Sequence, residues 1–179
     1  MNFLREMFSY VCGQQHVWVL EGQPLPFCQR CTGLYVGAFC ALILVLAFRL
    51  RPNALLYWLH GIFMLVMIPF GFHLVSQGPF VRTSTGVLFS FGLVYYLALN
   101  PLTAWHLWRP DSLLRNAAYL LLGMSALPVI FIGARFGGAV SAVILAGLGT
   151  LGLAGLCFLS LANLFVLPAT IRELRRSSL

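Results

Sequence analysis

Long stretches of this chain carry no charged residue, and each stretch is long enough to cross a membrane as a helix. There are five of them: residues 31–48, 52–81, 83–108, 116–134 and 136–171. A helix needs about 20 mostly apolar residues to cross the hydrocarbon layer of a bilayer. The pattern therefore predicts an all-α integral membrane protein, a bundle of about five transmembrane helices preceded by a cysteine-bearing N-terminal segment.

Composition supports a membrane location and excludes an ordinary soluble domain. Hydrophobic residues make up 60% of the chain and charged residues 8%, with a mean hydropathy of +0.92. Soluble domains carry about 25% charged residues, so most of the apolar surface here must face lipid or neighbouring helices. We expect three parts: an N-terminal Cys/His segment over residues 1–30, the bundle over 31–171 and a basic tail over 172–179.

The arginines predict which way the bundle faces. The chain has eleven arginines and no lysine, giving a net charge of +7. With five spans, four arginines fall on the N-terminal side and seven on the other, namely Arg49, Arg51, Arg109, Arg115, Arg172, Arg175 and Arg176. Because cytoplasmic loops are enriched in basic residues, we expect a bacterial inner-membrane protein with its N-terminus outside and its C-terminus in the cytoplasm. The charge suits contact with the lipid bilayer, and nucleic-acid binding is not expected.

The residues ahead of the first apolar run predict a metal site. Cys12, His16, Cys28 and Cys31 lie close together in sequence. Thiolate and imidazole are ligands of zinc and copper, and a Cys-x2-Cys spacing lets two sulfur atoms converge on one ion. We expect the stretch from Trp18 to Pro26 to form a short hairpin or loop that returns the chain. The predicted cofactor is a metal ion on the exoplasmic face, zinc first and copper second.

The end of the predicted second helix is expected on the same face of the membrane as the cysteines. If the first helix crosses inward, the second crosses outward, and His73 and Gln77 emerge beside the cysteines. His73 is therefore the fifth candidate ligand. Arg82 and Thr85 follow at the start of the third predicted helix. We expect an outward polar pocket in which Arg30, Arg82, Gln77 and Thr85 hold an anionic small molecule or a lipid headgroup.

The same sulfur atoms also fit a redox function. A membrane thiol-disulfide oxidoreductase would use the Cys28 and Cys31 pair to exchange electrons with a quinone. We expect the first helix to begin at Cys31, so that the helix dipole favours the thiolate of that residue. Together with Cys12, however, the outward cysteines are odd in number, which favours ligation over disulfide chemistry. Whether the protein is an enzyme is left open by the sequence.

The remaining cysteines and histidines are assigned no chemical role. Cys40 and Cys157 fall within predicted helices, where a thiol packs as a small apolar group. His60 and His106 fall near the predicted cytoplasmic interface, where an imidazole is hydrated or hydrogen-bonded. The candidate chemistry is therefore confined to the N-terminal face.

The candidate residues also carry a family resemblance. The elements are Cys12-x-Gln14, Leu25-Pro26-x-Cys28-x-Arg30-Cys31-Thr32-Gly33-x-Tyr35-x-Gly37, Pro69-x3-His73-x3-Gln77 and Arg82-x2-Thr85-Gly86. They resemble a family of small bacterial and archaeal membrane proteins known as domain of unknown function two-thousand-and-eighty-five, over roughly the first half of the chain. The family pattern has a histidine and an aspartate where this sequence has Gly13 and His73. The resemblance implies that any ligand roles of those two residues pass to His16 and His73, and it implies no activity.

Overall fold

The computed structural model describes residues 2–10, 16–71, 76–110 and 112–177, and most of these are helical. In chain order the elements are α1 (Asn2–Ser9), β1 (Val17–Leu20), β2 (Gln23–Cys28), α2 (Gln29–Phe48), α3 (Ala54–Leu65), α4 (Met67–Gly71), α5 (Pro79–Ala104), α6 (Leu113–Phe136) and α7 (Ala139–Ser177). The predicted all-α membrane architecture is confirmed.

Four of the five expected spans are long apolar helices, and the second is shorter. Helices α2, α5, α6 and the Ala139–Val166 part of α7 are each long and apolar enough to cross a membrane, whereas α3 and α4 together form a shorter apolar region, Ala54–Phe70. That region is interrupted at Val66. Pro69 has no N–H to donate to the carbonyl of Leu65, and its ring crowds that carbonyl, so a regular helix cannot continue through this point.

Helices α2 and α5 run in parallel and define the two ends of the bundle. Gly33 lies against Thr83, and Gly37 lies against Val87. We call the end with Gln29 and the start of α5 the first end, and the end with Phe48 and the last turn of α5 the second end. Helix α2 ends at the second end and α5 begins at the first end. The segment that includes α3 and α4 therefore returns the chain from the second end to the first.

Helix α6 is antiparallel to α2, and helix α7 is parallel to α2. The ring of Tyr119 near the start of α6 lies 6.2 Å from that of Phe48, and the ring of Phe131 near its end lies 5.8 Å from that of Trp18 in the hairpin. Helix α7 starts beside the hairpin, where Glu21 accepts a hydrogen bond of 3.1 Å from the backbone N–H of Ala139. The chain therefore passes between the two ends five times within the described residues.

Glycines allow α2 and α5 to touch backbone to backbone at the first end. A Cβ atom at Gly33 would overlap the carbonyl of Thr83, and one at Gly86 would overlap the carbonyl of Arg30. Small residues permit this close approach, which is how helices associate without a hydrophobic driving force in lipid. The contact fixes the start of α5 against the first turn of α2.

The N-terminal segment folds over the first end as a hairpin and a short helix. Strands β1 and β2 are antiparallel, and the turn residues Glu21 and Gly22 both have positive φ angles, 48° and 76°, as in the tight turns that join twisted strands. The predicted hairpin is confirmed. Helix α1, which the sequence analysis did not anticipate, buries Phe8 with its ring 5.1 Å from that of Phe27.

Candidate thiol and arginine site at the first end

Cys28 occupies the N-terminal cap of α2. Its Sγ accepts a hydrogen bond of 3.4 Å from the backbone N–H of Cys31, and both side chains are half-buried. The expectation that the helix begins at Cys31 was wrong, because β2 runs to Cys28 and the chain turns directly into the helix at Gln29. A helix N-terminus stabilises negative charge, and Cys28, not Cys31, occupies that position.

The hairpin brings His16 next to this cap. The backbone N–H of Gln29 donates to the carbonyl of His16 at 2.7 Å, and Val17 pairs with Cys28 across the strands. The side chain of His16 is exposed. The backbone of His16 therefore lies next to the turn that carries Cys28 and Cys31, while its imidazole is exposed.

Two predicted ligands, Cys12 and His73, lie outside the described residues. Among the described residues, no group of three or more histidine, cysteine or acidic side chains is arranged to hold a metal ion. What the structure contributes to the predicted site is the position of its cysteine pair and the backbone of His16.

Arg30 connects the start of α2 to both sides of the segment that contains residue 73. Its Nη2 donates to the carbonyl of Phe70 at 2.8 Å and to Oε1 of Gln77 at 2.5 Å. The amide of Gln77 donates to the same Phe70 carbonyl at 2.6 Å. Carbonyl groups at a helix end lack partners within the helix, and here a guanidinium and an amide supply them. Gln77 therefore contacts Arg30, the residue that precedes Cys31 in the chain.

Arg82 and Thr85 occupy the first turns of α5. Nη1 of Arg82 lies 3.4 Å from Oε1 of Gln29, at the long end of a hydrogen bond. Thr85 is buried, and its hydroxyl donates to backbone carbonyls of its own helix, those of Val81 and Arg82. Threonine commonly bonds back to the preceding turn in this way. The structure brings Arg30 together with Gln77 and brings Arg82 to Gln29, while the Thr85 hydroxyl is directed at its own helix.

A second polar cluster, around His60, was not anticipated by the sequence. His60 is fully buried, with Nε2 2.9 Å from the hydroxyl of Tyr119 and Nδ1 2.7 Å from the carbonyl of Leu56. Because a carbonyl only accepts, Nδ1 carries the proton and the Tyr119 hydroxyl donates to Nε2. The imidazole stacks on Tyr95 with ring centroids 4.1 Å apart. His60 is thus hydrogen-bonded inside the protein, and nothing in its sequence neighbourhood signals the partner on α6.

Comparison with known proteins adds a family but no activity. Residues 12–96 match the family described as "Predicted membrane protein (DUF2085)". All of the predicted site residues, from Cys12 to Thr85, fall inside this range. No curated protein and no solved structure matches the chain. Any function has to be argued from the arrangement of residues at the first end.

Proposed function

Because residues 12–96 match a family of membrane proteins whose description names no activity, we propose a function from the geometry of the first end. The protein carries a thiolate and imidazole metal site there, with zinc as the expected ion and copper as the alternative. The ligands are drawn from Cys12, His16, Cys28, Cys31 and His73. Arg30, Arg82, Gln77 and Thr85 surround the site. In this proposal the first end is exoplasmic.

The observation that carries the proposal is the double contact of Arg30. One nitrogen of its guanidinium holds the carbonyl of Phe70 and the side chain of Gln77, and the next residue in the chain is Cys31. The segment between Phe70 and Gln77 therefore starts and ends at the guanidinium of Arg30, the residue that precedes Cys31 in the chain. Six residues extend at most about 20 Å when fully stretched, and a segment that returns to its starting point reaches about half of that. This supports placing His73 near the sulfur atoms.

The N-terminal side of the site is anchored in the same way. Helix α1 is fixed by the burial of Phe8 against Phe27, and the carbonyl of His16 is fixed by the N–H of Gln29. The segment that contains Cys12 joins these two anchored points. Cys12 and His16 therefore belong to a connection that is held at both ends next to the cysteine pair, which supports a common site.

The arginines at the first end can balance the negative charge of the proposed ligands. Three thiolates bound to one zinc ion leave a net negative charge, and Arg30 and Arg82 provide positive charge close to the start of α2. Among the described residues, the guanidinium of Arg82 makes one long hydrogen bond, to Gln29. In the proposal Arg82 is accordingly the arginine that contacts an anionic small molecule or lipid headgroup, while Arg30 positions the His73 segment.

The position of Cys28 at the helix cap favours a second candidate function. A thiolate at a helix N-terminus with a second cysteine three residues later is also suited to disulfide exchange. In that case Cys28 and Cys31 would be oxidised to a disulfide, and a quinone would take up the two electrons and two protons to become a quinol. Metal content and thiol content distinguish the two functions.

The deciding experiment is metal analysis of the purified full-length protein together with a count of reactive thiols. The metal site predicts close to one equivalent of zinc or copper, and about three thiols that become reactive when a chelator removes the metal. Retention should weaken at lower pH, because the ligands bind metal only when deprotonated. A metal-free protein with a Cys28–Cys31 disulfide that exchanges with quinone would instead establish the oxidoreductase.

A pair of histidine variants tests the ligand set. Changing His73 to Ala should weaken metal retention by about 10- to 100-fold or more, the range known for groups at metal sites. His106 is the matched control, since it is exposed in the connection between α5 and α6 at the second end. Equal metal retention in His73→Ala and His106→Ala would remove His73 from the site and leave His16 as the imidazole ligand.

Thiol labelling in intact cells tests the proposed orientation. After mild reduction and chelation, a membrane-impermeant thiol reagent should label Cys12 or Cys28, which belong to the N-terminal segment. A cysteine introduced after Arg176 should remain unlabelled, because the seven-to-four division of the arginines places that end in the cytoplasm. Labelling of the N-terminal cysteines only after lysis would reverse the orientation.

A further inference from the structure

The second end of the bundle contains two cavities that share an arginine. Arg109 is held in place by its backbone, whose N–H donates to the carbonyl of Arg49 at 3.0 Å. One cavity, of about 410 Å³, is lined by Arg109, Arg51, His106 and Trp108. The other, of about 340 Å³, lies between the end of α2 and the start of α6. Both cavities are open to the outside of the bundle.

The smaller cavity is amphiphilic. Its polar wall contains Arg109, Ser112 and Arg115, and its apolar wall includes Phe48 and Leu114. The side chain of Leu114 is 80% exposed, which places this wall on the outer surface of the bundle. A cavity with guanidinium groups on one side and hydrocarbon on the other matches a molecule that has an anionic head and an apolar body.

The described residues in the walls of this cavity give it a positive charge. The described residues that line it include two arginines and no acidic residue. The Nε of Arg115 is buried and has no hydrogen-bond partner among the described residues. Asp111, in the loop before α6, lies outside the described residues. A buried guanidinium nitrogen without an acceptor is costly, and an anion that accepts its hydrogen bond relieves that cost.

We propose that the cavity between α2 and α6 binds the phosphate group of an anionic phospholipid. Arg109 and Arg115 donate to the phosphate oxygen atoms, and Phe48 and Leu114 contact the glycerol and the first part of the acyl chains. The apolar wall favours a lipid over a free phosphate ion, which would gain nothing from it. The site lies at the opposite end of the bundle from the cysteines and does not depend on the proposed metal site.

Native mass spectrometry of the full-length protein in a neutral detergent tests this site. The probes are phosphatidylglycerol, phosphatidylcholine and inorganic phosphate, each added separately. We expect a retained adduct with phosphatidylglycerol, weaker retention of phosphatidylcholine and none of inorganic phosphate. In Arg109→Gln/Arg115→Gln the affinity for phosphatidylglycerol should fall by about 100-fold, since each charge-assisted hydrogen bond contributes about tenfold.

Arg135→Gln is the matched control, because Arg135 lies on the same helix at the first end. Its affinity for phosphatidylglycerol should equal that of the original chain. Equal binding of phosphatidylglycerol by the double variant, or equal binding of phosphatidylcholine by the original chain, would overturn the proposal. Strong retention of inorganic phosphate would also overturn it and indicate a free-anion site. If the double variant does not fold, Arg115→Gln alone should still lose about tenfold in affinity.

Discussion

At the first end of the bundle Arg30 donates to a backbone carbonyl and to Gln77, whereas at the second end Arg109 and Arg115 line an open cavity. The first end is also where α2 and α5 touch backbone to backbone and where the hairpin closes over them. The second end is formed by connections between helices. The same residue type therefore serves two purposes, completing the hydrogen bonding of the fold at one end and leaving charge accessible at the other.

The contrast shows how to interpret an arginine at the end of a membrane helix. A guanidinium that satisfies a helix-end carbonyl is part of the framework, because its removal takes a charge-assisted hydrogen bond from a part-buried acceptor. A guanidinium that lines a cavity contributes little to folding, and its effect is on binding. Substitution of the arginine at the first end should consequently lower stability, whereas substitution of the arginines at the second end should lower ligand affinity.

The largest expected effect comes from the helix contact at the first end. In Gly33→Ala the new Cβ would overlap the carbonyl of Thr83, so α2 and α5 must separate, and we expect a loss of about 3 kcal/mol in unfolding free energy. Thermal unfolding in detergent measures it. Gly147→Ala in α7 is the control, because no atom of a neighbouring described segment lies within 4 Å of its added Cβ. Equal destabilisation by the two changes would show that the close helix contact is not what holds the first end.

The second-largest expected effect is the difference in unfolding free energy between variants of Arg30 and Arg115. Arg30→Gln removes the guanidinium that holds Phe70 and Gln77, and we expect a loss of about 2 kcal/mol in unfolding free energy, typical of a hydrogen bond from a charged group. Arg115→Gln should leave it unchanged or raise it by up to about 1 kcal/mol, because the Nε of Arg115 is buried without an acceptor among the described residues. Chemical denaturation in mixed micelles measures both. A larger loss for Arg115→Gln than for Arg30→Gln would invert the contrast between the two ends.

The smallest expected effect concerns two tyrosines in the buried cluster around His60. Their Phe variants show whether the hydrogen bond or the burial of a hydroxyl determines the change in unfolding free energy. Tyr119 donates to His60, whereas the hydroxyl of Tyr95 is buried with no partner among the described residues. Tyr119→Phe should cost about 1 kcal/mol, and Tyr95→Phe should be close to neutral. Thermal unfolding of the two variants side by side gives the answer. A cost for Tyr95→Phe as large as that for Tyr119→Phe would mean that burial alone sets the effect.

Charge-free runs predicted the spans well, because a charged side chain is expensive in hydrocarbon and interrupts such a run. They could not show where a helix starts or breaks. Gln29 and Arg30 lie in the first turn of α2, where polar groups are tolerated, so the charge criterion placed the start at Cys31. The uncharged run 52–81 likewise concealed the interruption at Val66.

The alternation of spans predicted that the region of Gln77 meets the cysteine turn, and the contact of Gln77 with Arg30 agrees with it. The directions of individual side chains were beyond the sequence. The spanning helices are apolar nearly all round, so no periodic polar face shows which way Thr85 or His60 points. The rotation of each helix is set by close packing such as that at Gly33 and Gly86, which only the folded chain reveals.

X-ray absorption at the metal edge of the purified protein tests the central claim, a thiolate site at the cap of α2, most directly. For zinc, the account predicts sulfur neighbours at about 2.3 Å together with nitrogen at about 2.0 Å. The change Cys28→Ser/Cys31→Ser should remove two sulfur neighbours or abolish metal binding. A spectrum with only oxygen and nitrogen neighbours, unaltered in the double variant, would contradict the proposed site.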